Sequence, residues 1–245
     1  MIRSLYKKYW AIGFRSRLYD LLAPQAYLDS IARTVEIAGV SPNRLWLDAG
    51  CGSGLSLIYL KPRLKNGGRY LGMDTATAGV ERTLARAKAL HVPGRCVRAD
   101  FTRAMPLREN SIDVILAHFS TYTAADDAAR LRALKNFHKA LKPGGTLALA
   151  NPCENYNAEH IIRESLARVR KENTTLAFLV RKWLLYPPAL WFGLRFIERQ
   201  LKSKTWKAYT PDEMCREVRR AGFVVQQVET VYAGAGCLVA GKKSA

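Results

Sequence analysis

Between residues 45 and 150, short runs of aliphatic and β-branched residues alternate with stretches of helical period. The runs at 45–49, 69–74, 94–99, 112–117 and 145–150 predict strands, and the spacing between them predicts helices at 54–65, 77–90 and 125–141. Strands and helices alternating at these lengths predict an α/β fold with a largely parallel sheet. Pro143-Gly144-Gly145 stops the third helix and turns the chain into the fifth strand. Further on, Thr210 and Pro211 read as the N-cap and first position of a helix that Gly222 closes. Two last runs, 223–231 and 236–241, predict an antiparallel pair at the sheet edge.

The pattern divides the chain into amphipathic or lid helices over 1–30, a binding core over 31–154, an insertion over 155–207 and the rest of the core over 208–245. The insertion has its own texture. Its stretch 176–197 has 22 residues, with Arg181, Lys182 and Arg195 as the only charges and Pro187-Pro188 in the middle. Two adjacent cations and a double proline suit a bilayer-spanning helix poorly. They suit a helical hairpin in the membrane interface better, with Trp183, Tyr186, Trp191 and Phe192 at headgroup depth. Near the N-terminus, Ile2, Leu5, Tyr6, Tyr9 and Trp10 form a second apolar stripe opposite Lys7 and Lys8. The competing reading packs the two stripes together as a lid over a substrate cleft.

Charge sharpens this picture because it is local. The chain of 245 residues has a formal net charge of +19. Residues 163–207 hold eleven Lys/Arg against three Glu, and residues 1–19 hold five Lys/Arg and no acid. Such clusters ask for an anionic partner: a membrane surface, or RNA bound by phosphate contact and stacking. The segment is too apolar for a solvated nucleic-acid surface, which favours the membrane. Five cysteines without a C-x-x-C pair predict neither a disulfide framework nor a zinc site, and His91, His118, His138 and His160 lack ligand spacing, so no metal is expected. With no signal-peptide core at the N-terminus, the expected location is cytoplasmic, with peripheral membrane contact.

The candidate chemistry starts at Asp48-Ala49-Gly50-Cys51-Gly52-Ser53-Gly54, a glycine-rich turn between the first strand and its helix. Asp48 decides what the turn holds. A carboxylate pointed into it opposes the pyrophosphate of a dinucleotide but favours a cationic ligand, and position 55 is Leu rather than the Gly or Ala of a dinucleotide loop. S-adenosylmethionine, with an ammonium, a sulfonium and no phosphate, fits that sign. Asp74 ends the second strand, where a carboxylate accepts from ribose hydroxyls, and Asp100-Phe101 follows the third, an acceptor beside an apolar face suited to adenine. Each acid alone reads equally well as a turn or cap residue; their order along one sheet edge is what points to a nucleotide site.

The segments LWLDAGCGSG, YLGMD, ADF at 99–101, MPLRENSIDVILA and LKPGGTLALANP together resemble the successive motifs of class I S-adenosylmethionine-dependent methyltransferases. Within that class the chain most resembles the ubiquinone/menaquinone methyltransferases and related small-molecule enzymes, over about 19–152 and 208–241. The resemblance implies a Rossmann-like, seven-stranded, mostly parallel sheet with an antiparallel last strand and a helical lid. It implies that Asp48, Ala49, Gly50, Cys51, Gly52 and Gly54 surround the methionine part of the cofactor, Met73 and Asp74 the ribose, and Asp100 and Phe101 the adenine. Tyr19 resembles a residue that covers the cofactor.

Methyl transfer from a sulfonium needs alignment and exclusion of water, and a general base only where the acceptor must first lose a proton. His118, at the end of the fourth strand, is the candidate base, with Tyr122 second; the alternative is that His118 only packs against the cofactor. The expected function is S-adenosylmethionine-dependent methylation of a small amphipathic, quinone-like or lipid-like acceptor. RNA methylation and a non-catalytic binding platform stand as alternatives.

Overall fold

A computed structural model describes residues 18–172 and 174–244. The predicted apolar stripe at positions 2–10 lies outside the described residues. After a helical turn at Leu18–Leu21, the elements run α1 (Gln25–Ile37), β1 (Leu45–Ala49), α2 (Ser56–Lys65), β2 (Arg69–Asp74), α3 (Thr77–Ala89), β3 (Gly94–Arg98), β4 (Ile112–His118), α4 (Asp127–Ala140), β5 (Leu141–Pro152), α5 (Ala158–Glu172), a helical run over 175–202, α6 (Pro211–Arg220), β6 (Phe223–Val231) and β7 (Gly236–Lys243).

The seven strands form one sheet in the order β3-β2-β1-β4-β5-β7-β6. β1 to β5 pair in parallel, and β7 runs antiparallel to both β5 and β6. This is the expected fold, with the last strand inserted beside β5 so that β6 takes the edge. Successive strand residues face opposite sides, and both faces are covered. Trp46, Val114, Leu116 and Ala148 pack with Leu57 and Leu60 of α2, while Leu47, Ile115, Leu147 and Leu149 pack with Leu134 and Phe137 of α4. The order reverses between β1 and β4, which opens a crevice at the carboxyl ends of those strands.

The helix α6 begins as read: Thr210 Oγ accepts from the Glu213 N–H, and the Glu213 carboxylate accepts from the Thr210 N–H.

Pro187 and Pro188 do not break the insertion. Helix continues from 175 to 202, with π-helical turns at Arg181–Leu185 and Ala189–Leu194 on either side of the double proline. Tyr186 N–H bonds to Arg181 C=O, and Arg195 N–H to Leu190 C=O. These wider turns accommodate two residues that lack an N–H and crowd the preceding turn. The expected hairpin therefore does not turn at the prolines. Its inner side is fastened to the core: Tyr186 OH accepts from the Gln25 N–H at 3.1 Å, Arg168 pairs with Asp29 at 2.6 Å, and Leu194 and Leu201 are buried.

Candidate cofactor site

The crevice is built on the turn after β1. Gly50, Gly52 and Gly54 have φ of 90°, 51° and 75°, the left-handed region in which a side chain is strained. The turn folds back over β2, since the N–H groups of Gly50 and Cys51 both donate to the Met73 carbonyl, at 2.7 and 3.0 Å. Gly50 is pressed against the loop after β4: a Cβ built on it would lie 2.3 Å from Ser120 Cβ. Ser120 Oγ in turn donates to the Ala49 carbonyl at 2.7 Å.

The two acids nearest the turn differ in their surroundings. Asp74 is half-buried, and its carboxylate accepts from the Gly52 N–H at 2.9 Å and the Ala76 N–H at 2.8 Å, so it fixes the glycine turn as well as facing the crevice. Burial raises its pKa, and those backbone donors oppose the rise. Asp48 is buried and accepts from Ser56 Oγ and from Tyr70 OH. Burial pushes its carboxyl up to about 6, the Asp74 charge adds to this, and the two hydroxyls oppose it.

The sign has two consequences. Because folding raises this pKa, an ionised Asp48 costs stability, a cost that sets in as pH rises from the ordinary carboxylate range to about 6. A bound cation favours the ionised form and draws the pKa back down. Cofactor affinity is therefore expected to fall about tenfold between pH 7.5 and 5, and Asp48→Asn to flatten that dependence; calorimetric titration across the range checks it.

A buried orphan fits the same reading. Ser53 Oγ, inside the glycine turn, has no hydrogen-bond partner among the described residues. A buried hydroxyl without a partner is costly, and here it sits where a ligand with ammonium, carboxylate and hydroxyl groups would supply one. The glycine turn, two carboxylates and this hydroxyl fit S-adenosylmethionine.

The other expected site residues have surroundings of their own. Met73 is fully buried in the core and serves the turn through its carbonyl. Phe101 packs its ring against Phe137, 5.4 Å between centroids, and its carbonyl accepts from Asn136. Asp100 closes a local turn by accepting from the Thr102 N–H and hydroxyl at 2.9 and 2.6 Å. Its other oxygen lies toward Arg103 at 3.8 Å. Ala49 and Cys51 are buried and act through their backbone.

His118 is joined to α1. Ser30 Oγ donates to the Tyr27 carbonyl at 2.7 Å and lies 2.9 Å from His118 Nε2. With the hydroxyl proton used, Nε2 carries the hydrogen and donates to Ser30. Burial pulls the imidazole down to about 3, so it is neutral near pH 7 and a weak base. Around it stand Tyr27 at 5.1 Å and Phe119 at 4.7 Å between ring centroids, and Tyr232 packs on both Tyr27 and Phe119. Tyr19 shares a hydrogen bond with Tyr27, hydroxyl to hydroxyl, at 2.7 Å. Tyr122 is buried with its ring edge-on to Trp206.

The sequence reading missed Tyr27, Ser30 and Tyr232, and also the clasp by which Asp20 pairs with Arg82 and Arg86 of α3 beside the glycine turn. Arginines four apart on one helix face were the available signal for that clasp.

Comparison with known proteins agrees with this geometry. Residues 47–145 match the family described as "Methyltransferase domain". The carboxy-S-adenosyl-L-methionine synthase of Hydrogenovibrio crunogenus is 28% identical over 120 residues, 48% of this chain and 46% of that protein. The malonyl-[acyl-carrier protein] O-methyltransferase of Dechloromonas aromatica is 29% identical over 141 residues, 57% of this chain and 47% of that protein. The chain thus spans about half the length of these curated relatives. The N-methyltransferase NodS from Bradyrhizobium japonicum, solved with S-adenosyl-L-homocysteine, has the same fold, with a TM-score of 0.61, 13% identity and coverage of 94% of this chain and 98% of that one. The chain has the class I methyltransferase fold, and its residues 47–145 match a methyltransferase domain; the likeness is to the class and not specifically to its quinone branch.

Proposed function

We propose that this chain, built on the class I methyltransferase fold, transfers the methyl group of S-adenosylmethionine to a small amphipathic acceptor, quinone-like or lipid-like, taken from an anionic membrane surface. The observation that carries the acceptor class is the outer face of the 175–202 run. Leu176, Trp183, Leu184, Trp191 and Phe192 are each 57–74% exposed there. Lys182 lies over the Trp183 ring at 4.8 Å and Arg195 over Trp191 at 3.9 Å, while Pro187, Pro188, Trp191, Phe192 and Arg199 line an open apolar groove of about 510 Å³. Large exposed aromatics among cations suit the interface of an anionic bilayer. Among the described residues no helix is long and apolar enough to cross a membrane, so the contact proposed is peripheral.

The acceptor is proposed to lie against the aromatic wall beyond His118. Phe119 and Tyr232 hold left-handed backbone, with φ of 48° and 56°. Strain in bulky residues concentrates where a site requires a particular side-chain direction. Tyr27, Phe119 and Tyr232 offer an apolar surface for a ring or chain.

S-adenosylmethionine, when bound, supplies an electrophilic methyl on a positively charged sulfur. The chain's contribution is placement and exclusion of water. Asp48 and Asp74 would hold the cofactor's ammonium and ribose, and the Asp20 clasp keeps the N-terminal turn against α3. His118 is assigned to positioning, since its Nε2–H is committed to Ser30 and its basicity is low. The nucleophile is therefore one that needs no strong base, such as an acidic enol or phenol already ionised, or a free amine.

The test incubates the protein with labelled S-adenosylmethionine and a membrane lipid extract, then separates lipid, RNA and aqueous fractions. Label in the lipid fraction supports the reading; label in RNA alone overturns the acceptor class. On anionic liposomes at moderate salt the protein is expected to float, and W183E together with F192E to lower the bound fraction at least tenfold. A parent protein that stays in solution removes the membrane from the account.

A further inference from the structure

Two thiols meet behind the glycine turn. Gly72, in the middle of β2, pairs with Asp48 of β1 on one side and Cys96 of β3 on the other. Cys51 leaves β1 and folds back over the same strand, because its N–H is bonded to Met73. A Cβ on Gly72 would lie 2.8 Å from Cys96 Sγ and 3.0 Å from Cys51 Sγ. The bare glycine is thus the floor of a slot filled by one sulfur from the cofactor turn and one from a strand two places away in the sheet.

We propose that Cys51 and Cys96 are a modification site, closing to a reversible disulfide when the protein meets a hydroperoxide such as hydrogen peroxide, and that the closed form binds S-adenosylmethionine less well. The two thiols have unequal parts. Cys51 is buried, whereas Cys96 is only partly buried and the easier to reach. Proximity of the two thiols lowers the pKa of Cys96 and, with burial, raises that of Cys51, so the more accessible Cys96 is assigned as the attacking thiolate. Cys96 sulfur attacks one peroxide oxygen, the O–O bond breaks, and a sulfenic acid and one water result. Cys51 then displaces the sulfenic oxygen, the S–S bond forms, and a second water leaves. Two thiols lose two electrons and the peroxide is reduced to two waters; a dithiol reverses the change.

The effect on the cofactor follows from where Cys51 sits. It lies between Gly50 and Gly52, and Gly52 N–H is bonded to Asp74. A bond of about 2 Å between the sulfurs draws this turn toward β3 and shifts its amides relative to Asp74. Cys153 and Cys237 form a second pair of thiols that perturb each other. Both are buried, so a peroxide does not reach them as readily, and they serve as an internal control.

The experiment treats the full chain with hydrogen peroxide, blocks the remaining thiols and maps peptides by non-reducing mass spectrometry, with S-adenosylhomocysteine titrated before and after. The expected result is a Cys51–Cys96 link, at least a tenfold loss of affinity, and recovery with dithiothreitol. C96S, with C96A as a second variant should the serine fold poorly, is expected to bind like the reduced parent and to lose the peroxide response. A mapped Cys153–Cys237 link alone, over-oxidised thiols without a link, or a Cys51–Cys96 link that leaves affinity unchanged overturns the proposal. The mapped link is read independently of any activity, so it stands apart from failure of the methyltransferase reading.

Discussion

Asp74→Ala is expected to weaken S-adenosylhomocysteine binding at least 100-fold while shifting the melting temperature by only a few degrees. The carboxylate has two tasks. In the proposed reading it accepts from cofactor hydroxyls, and it already accepts from the Gly52 and Ala76 N–H groups. Hydrogen bonds to a charged group contribute about 1.5–3 kcal/mol each, and two of them correspond to about two or more decades of affinity. Folding gains less from the same group, because burial already disfavours its charge. Asp74→Asn, which keeps one acceptor oxygen, should fall between parent and Ala. Calorimetry and thermal melts on the three proteins separate the two tasks; equal losses in both would make Asp74 a structural residue alone.

Gly50→Ala is the second large effect, and it acts on stability as well as binding. At φ 90° an added Cβ is strained, and it would meet Ser120 Cβ at 2.3 Å. Strain of about 1–2 kcal/mol and overpacking of about 1–3 kcal/mol give about 3 kcal/mol in sum. For a chain of this size that lowers the melting temperature by about 6–12 °C. Gly144→Ala is the matched control: its φ is 73°, but no atom lies within 4 Å of the new Cβ, so only the strain remains. Melting curves of the two variants read the difference, and equal shifts would mean that Ser120 yields without cost.

The elements that carry the site were legible because each obeys a local rule. Short aliphatic and β-branched runs marked the strands, Gly50, Gly52 and Gly54 marked a turn needing left-handed backbone, and Thr210-Pro211-Asp212-Glu213 marked a cap. What stayed hidden depends on partners distant in sequence. Tyr70 meets Asp48 only once β1 and β2 align, and Asn136 takes the Phe101 carbonyl only once α4 covers the sheet. The ring of Phe101 turned inward because Phe137 offered it a fully buried neighbour. Left-handed Phe119 and Tyr232 carry no sequence mark, since Gly or Asn is the usual occupant of such positions. The double proline misled for a related reason: the π-helical turns beside it are a property of the packed run and not of the two residues.

The central claim is that a buried carboxylate at position 48 and a half-buried one at 74 make the first crossover turn a site for a cationic sulfur nucleotide. Calorimetric titration of the full chain with S-adenosylmethionine, S-adenosylhomocysteine and NADH tests it most directly. The account predicts saturable one-to-one binding of the first two and none of the third. Binding of NADH with no heat from either sulfur nucleotide would contradict it.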